Sequence, residues 1–217
     1  MERKNPFVEG EFYHLYNRGV EKRAVFTSTN DYKRFLMLLY LANSEHDIRM
    51  SNILKSNAYE EVFLLERGKS LVALGAFCLM PNHFHILTTP LVRGGVSRYM
   101  LKVQTVYSMY FNTKNKRSGS LFQGPFKSVL ATSDQQLEYL FAYIHLNPAK
   151  LKDPQWKTRK KMESRTLSTF VESYPYSSYG AYLSGQHIVT DPSKFPDYFT
   201  SKEKVRTHIT DWLFTQE

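Results

Sequence analysis

The sequence LVALGAFCLMPNHFHILTT, which spans residues 71–89, decides the fold of this chain. Residues 71–80 form a nearly continuous apolar run without charge, which is typical of a strand buried in the middle of a sheet. Pro81 and Asn82 are turn-forming residues, and residues 84–89 read as a second strand. These features predict a β-hairpin that is central to an antiparallel sheet.

The segments on either side of this hairpin alternate between strand and helix patterns. The predicted elements are a strand at 11–17, a helix at 31–40, a short helix at 59–65, the hairpin strands, a helix at 96–110, an irregular strand pair at 121–131 bent at Gly124 and Pro125, a helix at 134–147 and a closing helix at 205–214. Long helices interleaved with an antiparallel sheet predict an α+β fold of ferredoxin-like type, with helices on one or both faces and a C-terminal extension.

The composition excludes several classes of protein. The chain has 217 residues, of which 42% are hydrophobic and 23% charged, so it is long and apolar enough to bury a core. Its single cysteine, Cys78, rules out an intramolecular disulfide and an all-cysteine zinc site. The apolar run at 71–80 is far shorter than the roughly 20 residues of a membrane helix, and the first five residues lack the apolar stretch of a signal peptide. We therefore expect a cytoplasmic protein.

The net charge of +9 is concentrated in the middle of the chain. Residues 67–133 contain nine Lys and Arg residues and no Asp or Glu, whereas the two flanks together hold 20 bases and 20 acids. A second basic cluster follows at 150–165. A polyanion is the natural partner of such a surface, and nucleic acid is the commonest polyanion, although a basic surface without a partner is the alternative.

His83 and His85 are the first candidates for chemistry. Residues i and i+2 of a strand point to the same face, so the two imidazoles project together while Phe84 points into the core. Two adjacent imidazoles are half of a metal site, and a divalent ion needs at least one further protein ligand. Two surface histidines on an edge strand are the alternative interpretation.

A polar stripe on the last helix of the predicted sheet domain supplies the remaining groups. Tyr139, Tyr143 and Asn147 are spaced four residues apart and therefore share one face of the helix. A phenol is a competent nucleophile toward a phosphodiester when a cation polarises the phosphate, and an amide oxygen is a suitable ligand for that cation. Tyrosines at this spacing are also common at the edge of a core, so the stripe alone does not establish a site.

Four motifs together resemble the HUH single-strand transposases, and most closely the REP-associated tyrosine transposases of bacteria. The motifs are YHLYNRGV at 13–20, CLMPNHFHIL at 78–87, GSLFQGPFKS at 119–128 and YIHLNPA at 143–149. A fifth element, YSSY at 176–179, is similar to the Trp-Ser-Ser-Tyr element of the family. The sequence departs from the family at Pro125, where an arginine is frequent, and at Ala149 and Lys150, where Val-Arg is frequent.

The resemblance implies a set of roles for these residues. His83, His85 and Asn147 would bind a divalent metal ion, Mg or Mn. Tyr143 would attack single-stranded DNA and form a covalent 5'-phosphotyrosine link, so that the strand can be rejoined elsewhere. The resemblance also implies hairpin DNA near the cleavage site, a bacterial and nucleoid-associated location, and a catalytic domain at 1–150 with an insertion at 46–68. A basic linker and an extension packed on that domain would form 151–217.

Several expectations remain open at this stage. The bases expected to contact DNA phosphates are Arg18, Arg98, Lys102 and Lys127, and His14 is expected either to border the site or to be a structural histidine. The sequence does not distinguish a homodimer, in which the tyrosine helix serves the partner's histidines, from a monomer. A DNA-binding protein without catalysis and a rolling-circle nuclease are the alternative functions.

Overall fold

The computed structural model describes residues 6–46, 50–156, 164–197 and 201–214, so residues 157–163 of the expected basic linker lie outside the described part. The elements are β1 (Tyr13–Arg18), α1 (Thr29–Leu41), α2 (Met50–Ser56), α3 (Tyr59–Val62), β2 (Val72–Met80), β3 (His83–Pro90), α4 (Gly95–Lys114), β4 (Lys127–Leu130), α5 (Asp134–Leu146), α6 (Ala149–Lys152), α7 (Ser164–Glu172), α8 (Tyr179–Ser184) and α9 (Lys202–Phe214). None of the described helices is long and apolar enough to cross a membrane.

The four strands form one antiparallel sheet in the order β2-β3-β1-β4. The hairpin expected at residues 71–89 is β2 and β3, joined by the turn at Pro81 and Asn82. Strand β1 inserts between β3 and β4, which is the ferredoxin-like arrangement of a split β-α-β unit. The predicted α+β fold is confirmed.

Helices cover both faces of the sheet, and the buried strands β2 and β3 present apolar side chains to both. Leu15, Phe84 and Ile86 pack on one face against α1 and α4. Cys78 and Leu87 pack on the other face, in a second core built with α5, α8 and α9. The helix that carries Tyr143 and the helix that carries Arg98 and Lys102 therefore lie on opposite sides of the sheet.

The face of the sheet that α5 covers is polar at one end, and the strand register shows why. Tyr16 lies opposite His85 and Arg18 lies opposite His83, at the end of β1 and the start of β3. Directly opposed residues of antiparallel strands point to the same side, and His14 shares that side with Tyr16. The two central strands thus bring three histidines under α5.

Helix α5 begins and ends where the sequence predicts. Ser133 is the N-cap, and its hydroxyl accepts a hydrogen bond from the backbone of Gln136 at 3.2 Å. The apolar stripe of α5 faces the sheet, with Leu137, Phe141 and Ile144 buried. The helix ends at Leu146, and Pro148 is the N-cap of the short α6.

The segment 121–131 differs from the predicted strand pair. Only β4 is a strand, and Phe122 contributes a single bridge to Gly19. Gly124 has a positive φ of 68°, and Pro125 has no N–H to donate to a ladder, so pairing is interrupted between the bridge and β4.

The YSSY element packs on the outer edge of β2. Ser177 forms a bridge to Cys78, and the backbone N–H of Leu79 donates to the carbonyl of Tyr176 at 2.9 Å. Ser178 accepts a hydrogen bond from the backbone of Phe77 at 2.9 Å. The C-terminal segment thereby protects a sheet edge that would otherwise present unpaired backbone groups.

Candidate active site

The three histidines of the central strands form one connected group. The Nε2 of His14 and the Nδ1 of His85 are 2.8 Å apart, within hydrogen-bond distance. The rings of His83 and His85 contact edge to face, with centroids 4.9 Å apart. His14 and His85 are 5% exposed, so this group lies in the protein interior below α5.

Burial keeps these imidazoles neutral at physiological pH. It lowers the pKa of His14 to about 4. Burial, assisted by the charges of Arg18 and Lys150, lowers the pKa of His83 to about 4. The pKa of His85 lies well below its usual value, because of burial and the neighbouring His14 and His83. A neutral imidazole keeps a lone pair, which is what a metal ligand needs.

One ring nitrogen of this group is not paired in the described part of the protein. The Nε2 of His85 is buried and has no hydrogen-bond partner among the described residues. Buried ring nitrogens normally have a hydrogen-bond partner, so the unpaired Nε2 requires an explanation. A divalent ion bound at Nε2 would satisfy it, with His14 holding the opposite ring nitrogen.

Tyr143 lies directly over the histidines. Its ring centroid is 5.5 Å from that of His85 and 6.0 Å from that of His14, with both pairs edge to face. The side chain is half-buried, and the ring of Tyr139 one turn earlier stacks on it at 5.8 Å. The expected nucleophile and the expected metal ligands therefore meet within a single chain.

Asn147 ends the same helix and is almost fully buried. Its Nδ2 donates to the backbone carbonyl of Tyr143 at 2.8 Å, which holds the amide in place. Its Oδ1 accepts a hydrogen bond from the ammonium of Lys150 at 3.0 Å. The Lys150 ammonium also lies 3.5 Å from the Tyr143 hydroxyl and 4.8 Å from the centre of its ring.

The chemistry of the available ligands limits the kind of metal site. Within the described residues, no group of three or more His, Cys, Asp or Glu side chains is arranged to hold a metal ion. A metal site on the expected ligands would therefore need an amide oxygen beside His83 and His85, completed by water or substrate. Such a mixed, open ligand set fits Mg or Mn better than a closed structural zinc site.

The four expected DNA-binding bases separate into two pairs. Arg18 and Lys127 lie on the histidine face, where Lys127 is opposite Tyr16 in the register. Arg98 and Lys102 lie on α4, across the sheet, and donate hydrogen bonds to backbone carbonyls of residues 44–46. Arg18 and Lys127 therefore lie on the side of the candidate site, whereas Arg98 and Lys102 bind the backbone of the loop after α1.

Three aromatic side chains that could stack on unpaired bases already form contacts within the protein. Phe122 and Tyr179 are 4% and 1% exposed and belong to the two cores. The ring of Tyr176 stacks on that of Tyr32 at 3.7 Å. These three rings therefore stabilise the protein itself.

Two contacts of the site were not foreseen from the sequence. The pairing of His14 with His85 depends on the register of β1 against β3, for which the strand pattern alone carries no signal. The contact of Lys150 with Tyr143 and Asn147 follows from helical spacing, because Asn147 and Pro148 keep helical φ and ψ angles between α5 and α6. The spacing of these three residues was therefore the signal in the sequence that could have predicted this contact.

Comparison with known proteins agrees with this fold. The family model of IS200-like transposases matches residues 12–147, which extend from β1 through α5 to Asn147. A solved structure of the REP-associated tyrosine transposase bound to a REP hairpin is similar, with a TM-score of 0.51 and 14% identity over 90% of this chain and 97% of that one. A search of curated proteins gave no match. The family match covers more than half of the sequence, and this chain therefore belongs to the IS200-like transposase family.

Proposed function

We propose that this protein cleaves and rejoins single-stranded DNA at hairpin-flanked sites, with a metal ion and a covalent 5'-phosphotyrosine intermediate. The observation that carries the proposal is the contact between Tyr143 and His85, whose buried Nε2 has no partner among the described residues. Membership of the transposase family supports a reaction on DNA.

The residues around Tyr143 fit a divalent ion, Mg or Mn. His83, His85 and Asn147 would hold it, and when bound it supplies a Lewis acid for the scissile phosphate. His14 holds the ring of His85 by the hydrogen bond between their nitrogens. Arg18 and Lys127, on the same face, are placed to receive the phosphates on either side of the reacting one.

Tyr143 performs the covalent step in this proposal. Its Oη forms a bond to the phosphorus while the bond from phosphorus to the 3'-oxygen breaks. The phenolic proton leaves to solvent, and the 3'-oxygen takes up a proton, so no external energy source is consumed. Rejoining is the same exchange with a new 3'-hydroxyl as the attacking group.

The DNA partner is proposed to be a hairpin with an adjacent single strand. A REP hairpin is bound in the similar solved structure, which supports this class of ligand. The positive middle of the chain supplies the charge that such a polyanion requires.

The decisive experiment detects a covalent protein–DNA adduct on a denaturing gel. The wild type, Tyr143→Phe, His83→Ala and the matched control Tyr139→Phe are incubated with single-stranded hairpin DNA and Mg or Mn. We expect an adduct with the wild type and Tyr139→Phe, and none with Tyr143→Phe or His83→Ala. Tight binding by the wild type without any adduct would contradict the catalytic proposal and favour a hairpin-binding protein.

A further inference from the structure

Lys150 is a charged residue beside Tyr143 and Asn147 to which the proposed mechanism gives no role. It belongs to α6, and Asn147 and Pro148 keep helical φ and ψ angles between α5 and α6, so Lys150 lies at helical spacing from Tyr143 and Asn147. Its ammonium contacts both Tyr143 Oη and Asn147 Oδ1, at 3.5 and 3.0 Å. One cation therefore bridges the expected nucleophile and the expected amide ligand of the metal.

Lys150 lies on the same side of the sheet as the histidines. Its ammonium is over the ring of Tyr143, which contacts the rings of His85 and His14 edge to face. The side chain is half-buried and lies over the ring of Tyr143, a cation–π contact that limits its freedom.

We propose that Lys150 is a further catalytic residue, whose ammonium competes with the divalent ion for Asn147 Oδ1 and stabilises the Tyr143 oxygen during attack on DNA. This inference rests on the proposed function, since it concerns the same nucleophile. A monovalent and a divalent cation that share one amide oxygen would repel each other strongly in a partly buried site. The Lys150 ammonium and the ion would therefore be accommodated together when the negative charge of a bound phosphate offsets both.

The covalent step assigns Lys150 a definite task. As the Tyr143 Oη loses its proton to solvent and begins to bond to phosphorus, negative charge develops on the phenolic oxygen, and the ammonium next to Oη offsets it without giving up a proton of its own. When the bond from phosphorus to the 3'-oxygen breaks, the charge passes to that oxygen, which takes up a proton. Preorganised charges of this kind are among the largest contributions to catalysis.

The first test measures Mn²⁺ affinity of the protein without DNA, by calorimetric titration. We expect Lys150→Met to bind Mn²⁺ about tenfold more tightly than the wild type, because the competing charge is removed. Lys152→Met removes an exposed charge from the same short helix and is expected to bind Mn²⁺ as the wild type does. Equal affinity in Lys150→Met and the wild type would overturn the proposed competition.

The second test measures the rate of adduct formation at saturating DNA and Mn²⁺. We expect a loss of about 100-fold in Lys150→Met, partial recovery in Lys150→Arg and no change in Lys152→Met. Unfolding curves of all variants verify that they are folded. A wild-type rate in Lys150→Met would overturn the catalytic role, whereas failure of the wild type itself to form an adduct would count against the proposed function and leave the metal-affinity test decisive for Lys150.

Discussion

The hydrogen bond between His14 and His85 determines which nitrogen of His85 is available to a ligand. The two ring nitrogens are 2.8 Å apart, so one of them must carry the proton and the other must accept it. If Nδ1 of His85 donates, its Nε2 keeps a lone pair, and this is the buried nitrogen without a partner among the described residues. Metal-binding histidines are commonly held by such a second hydrogen bond.

A substitution of His14 tests this arrangement. We expect His14→Leu to weaken Mn²⁺ binding by about 10- to 100-fold, because His85 loses the partner that holds its ring and its tautomer. His14→Gln offers an amide oxygen in place of the ring nitrogen and is expected to recover part of the affinity. Calorimetric titration without DNA is the measurement, and unchanged affinity in His14→Leu would show that His14 is only a core residue.

Helices α1 and α4 are linked by a buried carboxylate. Asp31 is fully buried and forms an ion pair with Lys114 at 2.6 Å, and it accepts hydrogen bonds from Tyr110 and from the backbone of Thr27. Burial alone would raise the pKa of Asp31, but the hydrogen bonds, led by that of Lys114, lower it to about 2. The charged form therefore stabilises the contact between the two helices.

We expect Asp31→Asn to lower the free energy of unfolding by about 3 kcal/mol at pH 7, since it leaves Lys114 without its counter-charge. A carboxylate whose pKa is lowered in the folded state contributes stability above its unfolded pKa near 3.8, and this contribution is lost as the pH falls toward 2. The difference between the variant and the wild type should shrink over that range. Urea unfolding at several pH values measures it, and a difference independent of pH would argue against the charge as the cause.

The YSSY element connects the outer edge of β2 to α5, the helix that carries Tyr143. Ser178 Oγ lies 2.7 Å from Nε2 of His145, a fully buried residue of α5 between Tyr143 and Asn147. Burial lowers the pKa of His145 to about 3, so the imidazole stays neutral and forms a neutral hydrogen bond. The C-terminal extension thereby contributes to the position of α5.

We expect Ser178→Ala to lower the free energy of unfolding by about 2 kcal/mol, because the backbone of Phe77 and the ring of His145 both lose a partner. The rate of adduct formation should fall as well, since α5 is less firmly held. Ser184→Ala is the control, because the Ser184 hydroxyl is exposed and its hydrogen bonds to described residues are with its own helix and the backbone of Gln186. Equal stability of the two variants would indicate that the extension does not hold α5.

At the scale of the whole molecule, the proposed active site brings together residues that are distant in sequence but belong to one chain. His14 and His85 come from the two central strands, and Tyr143 comes from the helix that covers them. The chain therefore brings the nucleophile to its own histidines. We infer that a monomer is sufficient for cleavage.

Mixing two inactive variants tests this inference. We expect a mixture of Tyr143→Phe and His83→Ala chains to form no adduct, because each chain lacks one half of its own site. In a dimer that exchanges its tyrosine helices, some mixed sites would combine an intact Tyr143 with an intact His83 and restore the adduct. Recovery of the adduct in the mixture would therefore contradict a site that is closed within one chain.

The sequence by itself determined the features that depend on local periodicity. The apolar run before Pro81 predicts β2, the alternation in β3 predicts that His83 and His85 share a face, and Pro148 predicts the end of α5. Strand and helix periods place side chains on faces relative to their neighbours in the chain. Such patterns were sufficient for the fold class and for the histidine pair.

Only the tertiary structure decided which faces meet. The pairing of β1 with β3 joins His14 to His85. The same packing places Arg98 and Lys102 across the sheet from the histidines, although in the sequence they lie within the same basic region as Lys127. Strand register and helix orientation result from contacts between residues far apart in the chain, and no local period encodes them.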